Sequence, residues 1–149
     1  MIKKYRVRKN EDFSKIIKKR KCVADQSFIV YYYKKQEPHS RVGISVSKKL
    51  GNAVERNKIK RQVRMMFANI YDFDNSPSDL VVIIRKGYLE KSFSDNQNNL
   101  EKLIKKAIII YYLQGVFVYM NKKKLTIVWS YLFLLLFLSG CSNSSELIS

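Results

Sequence analysis

With 149 residues and a formal net charge of +17, the chain has room for one compact domain and carries a field that draws polyanions. A hydrophobic fraction of 46% argues against global disorder, and two cysteines, Cys22 and Cys141, are too few for a disulfide framework. No Cys/His cluster has metal-ligand spacing, and no nucleophile–base or carboxylate pair stands out, so neither metal ligands nor catalytic residues are assigned. Nucleic acid is the leading partner and an anionic membrane surface the second.

Residues 1–119 hold 26 of the 29 cations and 11 of the 12 acids and are read as the folded domain. The run Lys3 to Lys9 is a basic arm. Asn10 offers a cap, Glu11 and Asp12 suit a helix N-terminus, and Phe13, Ile16 and Ile17 follow at helical spacing, predicting a helix over about 11–20. A short extra strand near Lys21–Ala24 is compatible with the pattern. Ser27 to Tyr33 is aromatic and β-branched, hence a strand, with Tyr31 and Tyr33 on one face and Phe28, Val30 and Tyr32 on the other. Periodicity does not say which face is open. His39 sits beside Pro38 in a turn and reads as a loop histidine.

Arg41 to Lys48 alternates, with Val42, Ile44 and Val46 facing a core and Gly43, Ser45 and Ser47 forming a small polar face that leaves space above it. After Gly51-Asn52 a long helix is predicted over 53–70, its core arc being Ile59, Val63, Met66, Phe67 and Ile70. Arg56, Lys60 and Arg64 line up at i, i+4, i+8, and Asn57 and Arg61 form the adjacent line. A polar turn at Asn75 to Ser78 leads into the apolar strand Leu80–Ile84. Ser94 or Asp95 then caps a last helix carrying Leu100, Leu103, Ile104, Ala107 and Ile108. The order α-β-β-α-β-α describes an α/β (α+β) sandwich.

The strongest chemical signal is the strand end, glycine turn and helix from Val46 to Arg61. Glu55 is its only acid, so few intrahelical salt bridges can quench its cations. Guanidinium groups bind phosphate in a planar fork, and a rigid helix spaces them to follow a folded RNA backbone without reading sequence.

The stretch Ser47-Lys-Lys-Leu-Gly-Asn-Ala-Val-Glu-Arg-Asn-Lys-Ile-Lys-Arg61 also resembles the signature of the bacterial ribonuclease P protein component. The resemblance runs from the arm and Asn10-Glu-Asp-Phe13 through Arg41-Val-Gly-Ile-Ser45 to the last helix, over roughly residues 1–112. It implies a ribosomal-protein-like fold with a left-handed βαβ crossover, where the usual hand would be right. It implies a ribonuclease P protein subunit whose partners are a catalytic RNA subunit and precursor tRNA. No protein partner is required, the location is cytoplasmic, and any Mg²⁺ is held through the RNA rather than by the protein. It places Lys48, Lys49, Arg56, Asn57, Lys58, Lys60, Arg61 and Arg64 against RNA. Lys58 stands where the family usually has arginine, keeping the charge and losing the fork. A second site, for the single-stranded leader, falls on Phe13, Ile17, Tyr31 and Tyr33; Ile17 lacks the ring often found there.

Residues 120–149 form a second segment. Met120-Asn-Lys-Lys-Lys124, an apolar run from Leu125 to Leu138 and Leu138-Ser-Gly-Cys141 resemble a complete lipoprotein signal peptide, with Cys141 as the acylated residue. About 14 residues would rise only about 21 Å as a helix, short for a membrane span. A fusion or read-through of two neighbouring reading frames is the economical explanation, with a membrane partner only if the tail is real. Two rival functions remain: a structural, ribosomal-type RNA-binding protein, which the charge fits equally, and a membrane-tethered lipoprotein, which leaves the basic helix unexplained.

Overall fold

The computed structural model describes the backbone of residues 1–139 and the side chains of residues 1–123. Met1–Tyr111 form one compact unit, and the described residues after it are helical. In chain order the elements are α1 (Asn10–Lys18), β1 (Cys22–Ala24), β2 (Phe28–Lys34), β3 (Val42–Val46), α2 (Ala53–Ile70), β4 (Ser78–Ile84) and α3 (Phe93–Ser139). The short extra strand is therefore present as β1, at the edge of the sheet. The sheet order is β1-β2-β4-β3, with β2 antiparallel to β1 and β4, and β3 parallel to β4. The segment β3–α2–β4 is thus a βαβ unit whose two strands are neighbours.

Alternation along the strands assigns each face. Phe28, Val30, Tyr32, Val42, Val46, Leu80, Val82 and Ile84 are buried in one core, together with Ile59, Val63, Met66 and Phe67 of α2 and Leu100, Leu103, Ile104 and Ala107 of α3. Ile108, Ile110 and Tyr111 pack partly against the same core. The opposite face carries Tyr31, Tyr33, Val81 and Gly43, and α1 lies across it against β2 and β4 with Ile16 buried beneath. This settles what the aromatic run of β2 left open: Tyr31 and Tyr33 are on the α1 side and only half-buried.

Several local expectations are corrected. Asn10 is the first residue of α1 rather than its cap; the cap position is Lys9, with no side-chain bond. The last helix starts at Phe93, and neither Ser94 nor Asp95 caps it. Ser92 Oγ accepts from Asp95 N at 3.1 Å, a cap written as Ser92-x-x-Asp95. The last strand begins at Ser78, two residues before the apolar run, because Ser78 and Asp79 pair with Lys34 and Tyr33 of β2.

Candidate nucleic-acid interface

Helix α2 owes its start to a reciprocal cap. Asn52 Oδ1 accepts from Glu55 N at 2.9 Å, and Asn52 N donates to Glu55 Oε2 at 2.7 Å. Gly51 makes room for this: its φ is +135°, and a Cβ there would collide with the Glu55 carboxylate. Glu55, the one acid of the stretch, is thereby committed to the helix start and does not neutralise the cations that follow. Among the described residues none of Arg56, Lys58, Lys60, Arg61 and Arg64 forms an ion pair.

The cations divide into two lines. Arg56, Lys60 and Arg64 are half-buried along one flank, whereas Asn57, Lys58 and Arg61 are exposed on the next. Lys48 and Lys49 stand exposed in a 3-10 turn just before α2, capped by Ser47. The basic arm adds to this surface. Val7 N donates to Val42 O at 3.2 Å, Tyr5 stacks on Phe73 with ring centroids 4.5 Å apart, and His39 Nε2 lies 3.1 Å from Lys4 O. This docking brings Arg6 beside Arg64, whose pKa is lowered by burial and then by the Arg6 charge. Arg6 Nε is itself buried without a hydrogen-bond partner. Lys3, Lys4, Arg6, Arg8, Lys9 and Arg41 help line a cavity of about 510 Å³ that also takes in Asp12 and Glu37. Like charges brought this close are stabilised by a polyanion.

The second candidate site lies under α1. Phe13 and Ile17 are half-buried, and Ile16, between them, is the residue that anchors the helix. Phe13 lies directly on Gly43, where a Cβ would come within 2.7 Å of Cε2 of the ring. The space above the small face of β3 is therefore partly filled by Phe13. Tyr33 faces the last turn of α1, with Lys19 Nζ 5.5 Å from its ring centroid. Phe13, Ile17, Tyr31 and Tyr33 are thus brought to the same face of the sheet, with a cation at its edge.

Two features were missed in the sequence. Arg41 donates to Asp79 from its backbone N (2.8 Å) and Nη2 (2.8 Å), and from Nη1 to Asp12 of α1 (3.0 Å). Asp79 is only 1% exposed, and no local pattern announces a buried charge beside Pro77 and Ser78. The other is a groove of about 770 Å³ between α2 and the start of α3, lined by Val54, Asn57, Lys58, Arg61, Gln62, Met65 and Phe93. Lys58, off the main basic line, belongs to this groove. One wall is held by Tyr88, which donates to Gln62 Oε1 at 3.0 Å and whose phenol burial pushes up to about 12. Cys141 lies outside the described residues. No group of acidic, histidine or cysteine side chains among the described residues could hold a metal ion.

A family model described as Ribonuclease P matches residues 1–108. The chain belongs to the ribonuclease P protein family. The ribonuclease P protein component of Staphylococcus haemolyticus (strain JCSC1435) is 46% identical over 107 residues, which cover 72% of this chain and 93% of that relative. That of Streptococcus agalactiae serotype III (strain NEM316) is 44% identical over 114 residues, covering 74% and 100%. Among solved structures, a Staphylococcus aureus RNase P protein mutant with defective mRNA degradation activity superposes with a TM-score of 0.63 at 44% identity, over 70% of this chain and 89% of that one. The RNase P protein from Thermotoga maritima gives 0.59 at 33% identity, over 68% and 96%. Ribonuclease P proteins thus share the mixed α+β fold of this chain, and its function is that of the protein subunit of ribonuclease P, in tRNA processing. Residues 109–149 fall outside the family match.

Proposed function

We propose that this subunit assists cleavage from two surfaces, leaving the chemistry to an RNA partner. The α2 face, with Lys48, Lys49 and the docked arm, holds the catalytic RNA subunit, while Phe13, Ile17, Tyr31 and Tyr33 receive the single-stranded 5′ leader of precursor tRNA in the cytoplasm. The observation that carries this reading is the α2 array: five cations, none ion-paired among the described residues, on a helix whose one acid is spent on its own cap. Half-buried aromatic rings on the sheet face that α1 partly covers suit unpaired bases, which stack without sequence readout. Mg²⁺ would enter with the RNA, to which the phosphates bring ligands.

Reconstitution tests the division of labour. Rigorously RNA-free protein should leave precursor tRNA intact, and adding the RNA subunit with Mg²⁺ should restore cutting at the 5′ end. Metal-dependent cleavage by the protein alone would overturn it.

For residues 120–149 the reading is a fusion of a second reading frame that begins at Met120 and encodes a lipoprotein signal peptide. Its support is the internal order of basic start, apolar run and Leu138-Ser-Gly-Cys141. Intact mass of the native protein checks it: a chain ending near residue 119 supports separate products, and a lipid-bearing Cys141 would establish a tethered protein.

A further inference from the structure

The α2 stripe Val54, Lys58, Arg61 and Met65 recurs at i, i+4, i+7 and i+11, on the side of the helix away from the core arc. Three large apolar side chains stand in solvent here: Val54 is 77% exposed, Met65 53% and Phe93, at the start of α3, 39%. These three face a shared groove of about 770 Å³, ample for one planar heterocycle. Polar groups stand at its edge: the Asn57 amide, with both donor and acceptor, and the Lys58 and Arg61 charges. No acid lines it. A protein segment would meet an apolar floor flanked by uncompensated cations, whereas a nucleotide answers both, with a π-face for the ring and phosphates for the charges.

We infer that this groove takes an unpaired base of a structured RNA, stacked on Phe93 over Val54 and Met65, with its flanking phosphates on Lys58 and Arg61. Resting on the reading of α2 as RNA-facing, it adds that the helix recognises an extruded base and not backbone alone. It also gives Lys58 a task that needs no guanidinium fork. A point charge at the groove mouth suffices for one phosphate. Asn57 is placed to pair with the polar edge of the base, and Phe93 supplies the stacking surface.

Two RNA hairpins with the same stem, one fully paired and one with a single bulged adenosine, test this by anisotropy titration of the full chain in mild detergent at several salt concentrations. Wild type should prefer the bulged hairpin. Phe93→Ala and Phe93→Leu should each lose that preference, weakening the bulged complex by roughly 5- to 100-fold with the salt slope and the paired complex unchanged. Phe93→Leu keeps an apolar side chain at the helix start, and a melting curve verifies that it folds. Lys58→Ala with Arg61→Ala should instead weaken both complexes and flatten the salt slope. A folded Phe93→Leu protein that retains the wild-type preference overturns the inference while leaving the helix reading intact. Unchanged binding of both hairpins by the Lys58/Arg61 double variant would overturn the phosphate contacts at the groove, and, together with an unchanged Arg56/Lys60/Arg64 triple variant, the helix reading itself.

Discussion

Arg41 sits at a junction of three elements, on the residue just before β3, bonded to Asp79 of β4 and Asp12 of α1. The two carboxylates are not equivalent: Asp12 is 29% exposed and Asp79 is 1%. Removing the buried one leaves the guanidinium with Asp12 alone and takes the acceptor from Arg41 N, so Asp79→Ala should cost roughly 3 kcal/mol of stability, read as a lower denaturant midpoint. Asp12→Asn, where water can replace the partner, should cost roughly 1 kcal/mol or less. A second contact fixes α1 over the sheet. Because a Cβ on Gly43 would meet Cε2 of Phe13 at 2.7 Å, Gly43→Ala must push the ring outward, at an overpacking cost of roughly 1–3 kcal/mol. If Phe13 stacks on the leader, that variant should bind precursor tRNA with a leader more weakly and leave binding of leaderless tRNA unchanged. Equal affinity changes for both substrates would mean that Phe13 serves packing alone.

At the scale of elements, α2 carries the RNA reading and gives the cleanest electrostatic test. Replacing Arg56, Lys60 and Arg64 with alanine should weaken binding of the RNA subunit and flatten its salt dependence, each lost phosphate contact lowering the slope by roughly 0.7–0.9. An unchanged slope in a folded triple variant would return this flank to an ordinary solvated face. The helix itself was legible in the sequence because its apolar spacing, Gly51-Asn52 break and Asn52-x-x-Glu55 cap all agree, and its observed span, Ala53–Ile70, coincides with the expected 53–70. The start of β4 was not legible. Ser76-Pro77-Ser78-Asp79 carries turn-forming residues, and only pairing with β2 and with Arg41, 38 positions away from Asp79, makes Ser78 and Asp79 a strand. The open face of β2 was hidden for another reason: with rings at Tyr31, Tyr32 and Tyr33, hydrophobicity no longer alternates. The α2–α3 groove escaped because Val54, Met65 and Phe93 meet only after the two helices are placed.

For the molecule as a whole, the family match ends at residue 108 and the compact unit at Tyr111, so the decisive question is what the remaining chain contributes. The last turns of the domain are not dispensable: Ile108, Ile110 and Tyr111 pack against the main core, and Leu100, Leu103, Ile104 and Ala107 are buried within it. Beyond them the character changes. Tyr112, Leu113 and Val116 to Met120 are all exposed, each more than half. The helical stretch Phe93–Lys123 is long and apolar enough to cross a membrane by length and composition, but its first half is already committed to packing on the sheet. Truncation after Tyr119 keeps every core residue of α3 and every cation of α2 and the arm. It should therefore leave the melting temperature within a few degrees of full length and leave activation of the RNA subunit unchanged. It should also improve solubility, because it removes the apolar run from Leu125 to Leu138, a segment suited to self-association. Thermal unfolding and reconstituted cleavage, compared for 1–119 and the full chain with detergent present for the longer form, check this. A truncated protein that unfolds many degrees lower, or fails to support cleavage, would make residues 120–149 part of the working fold.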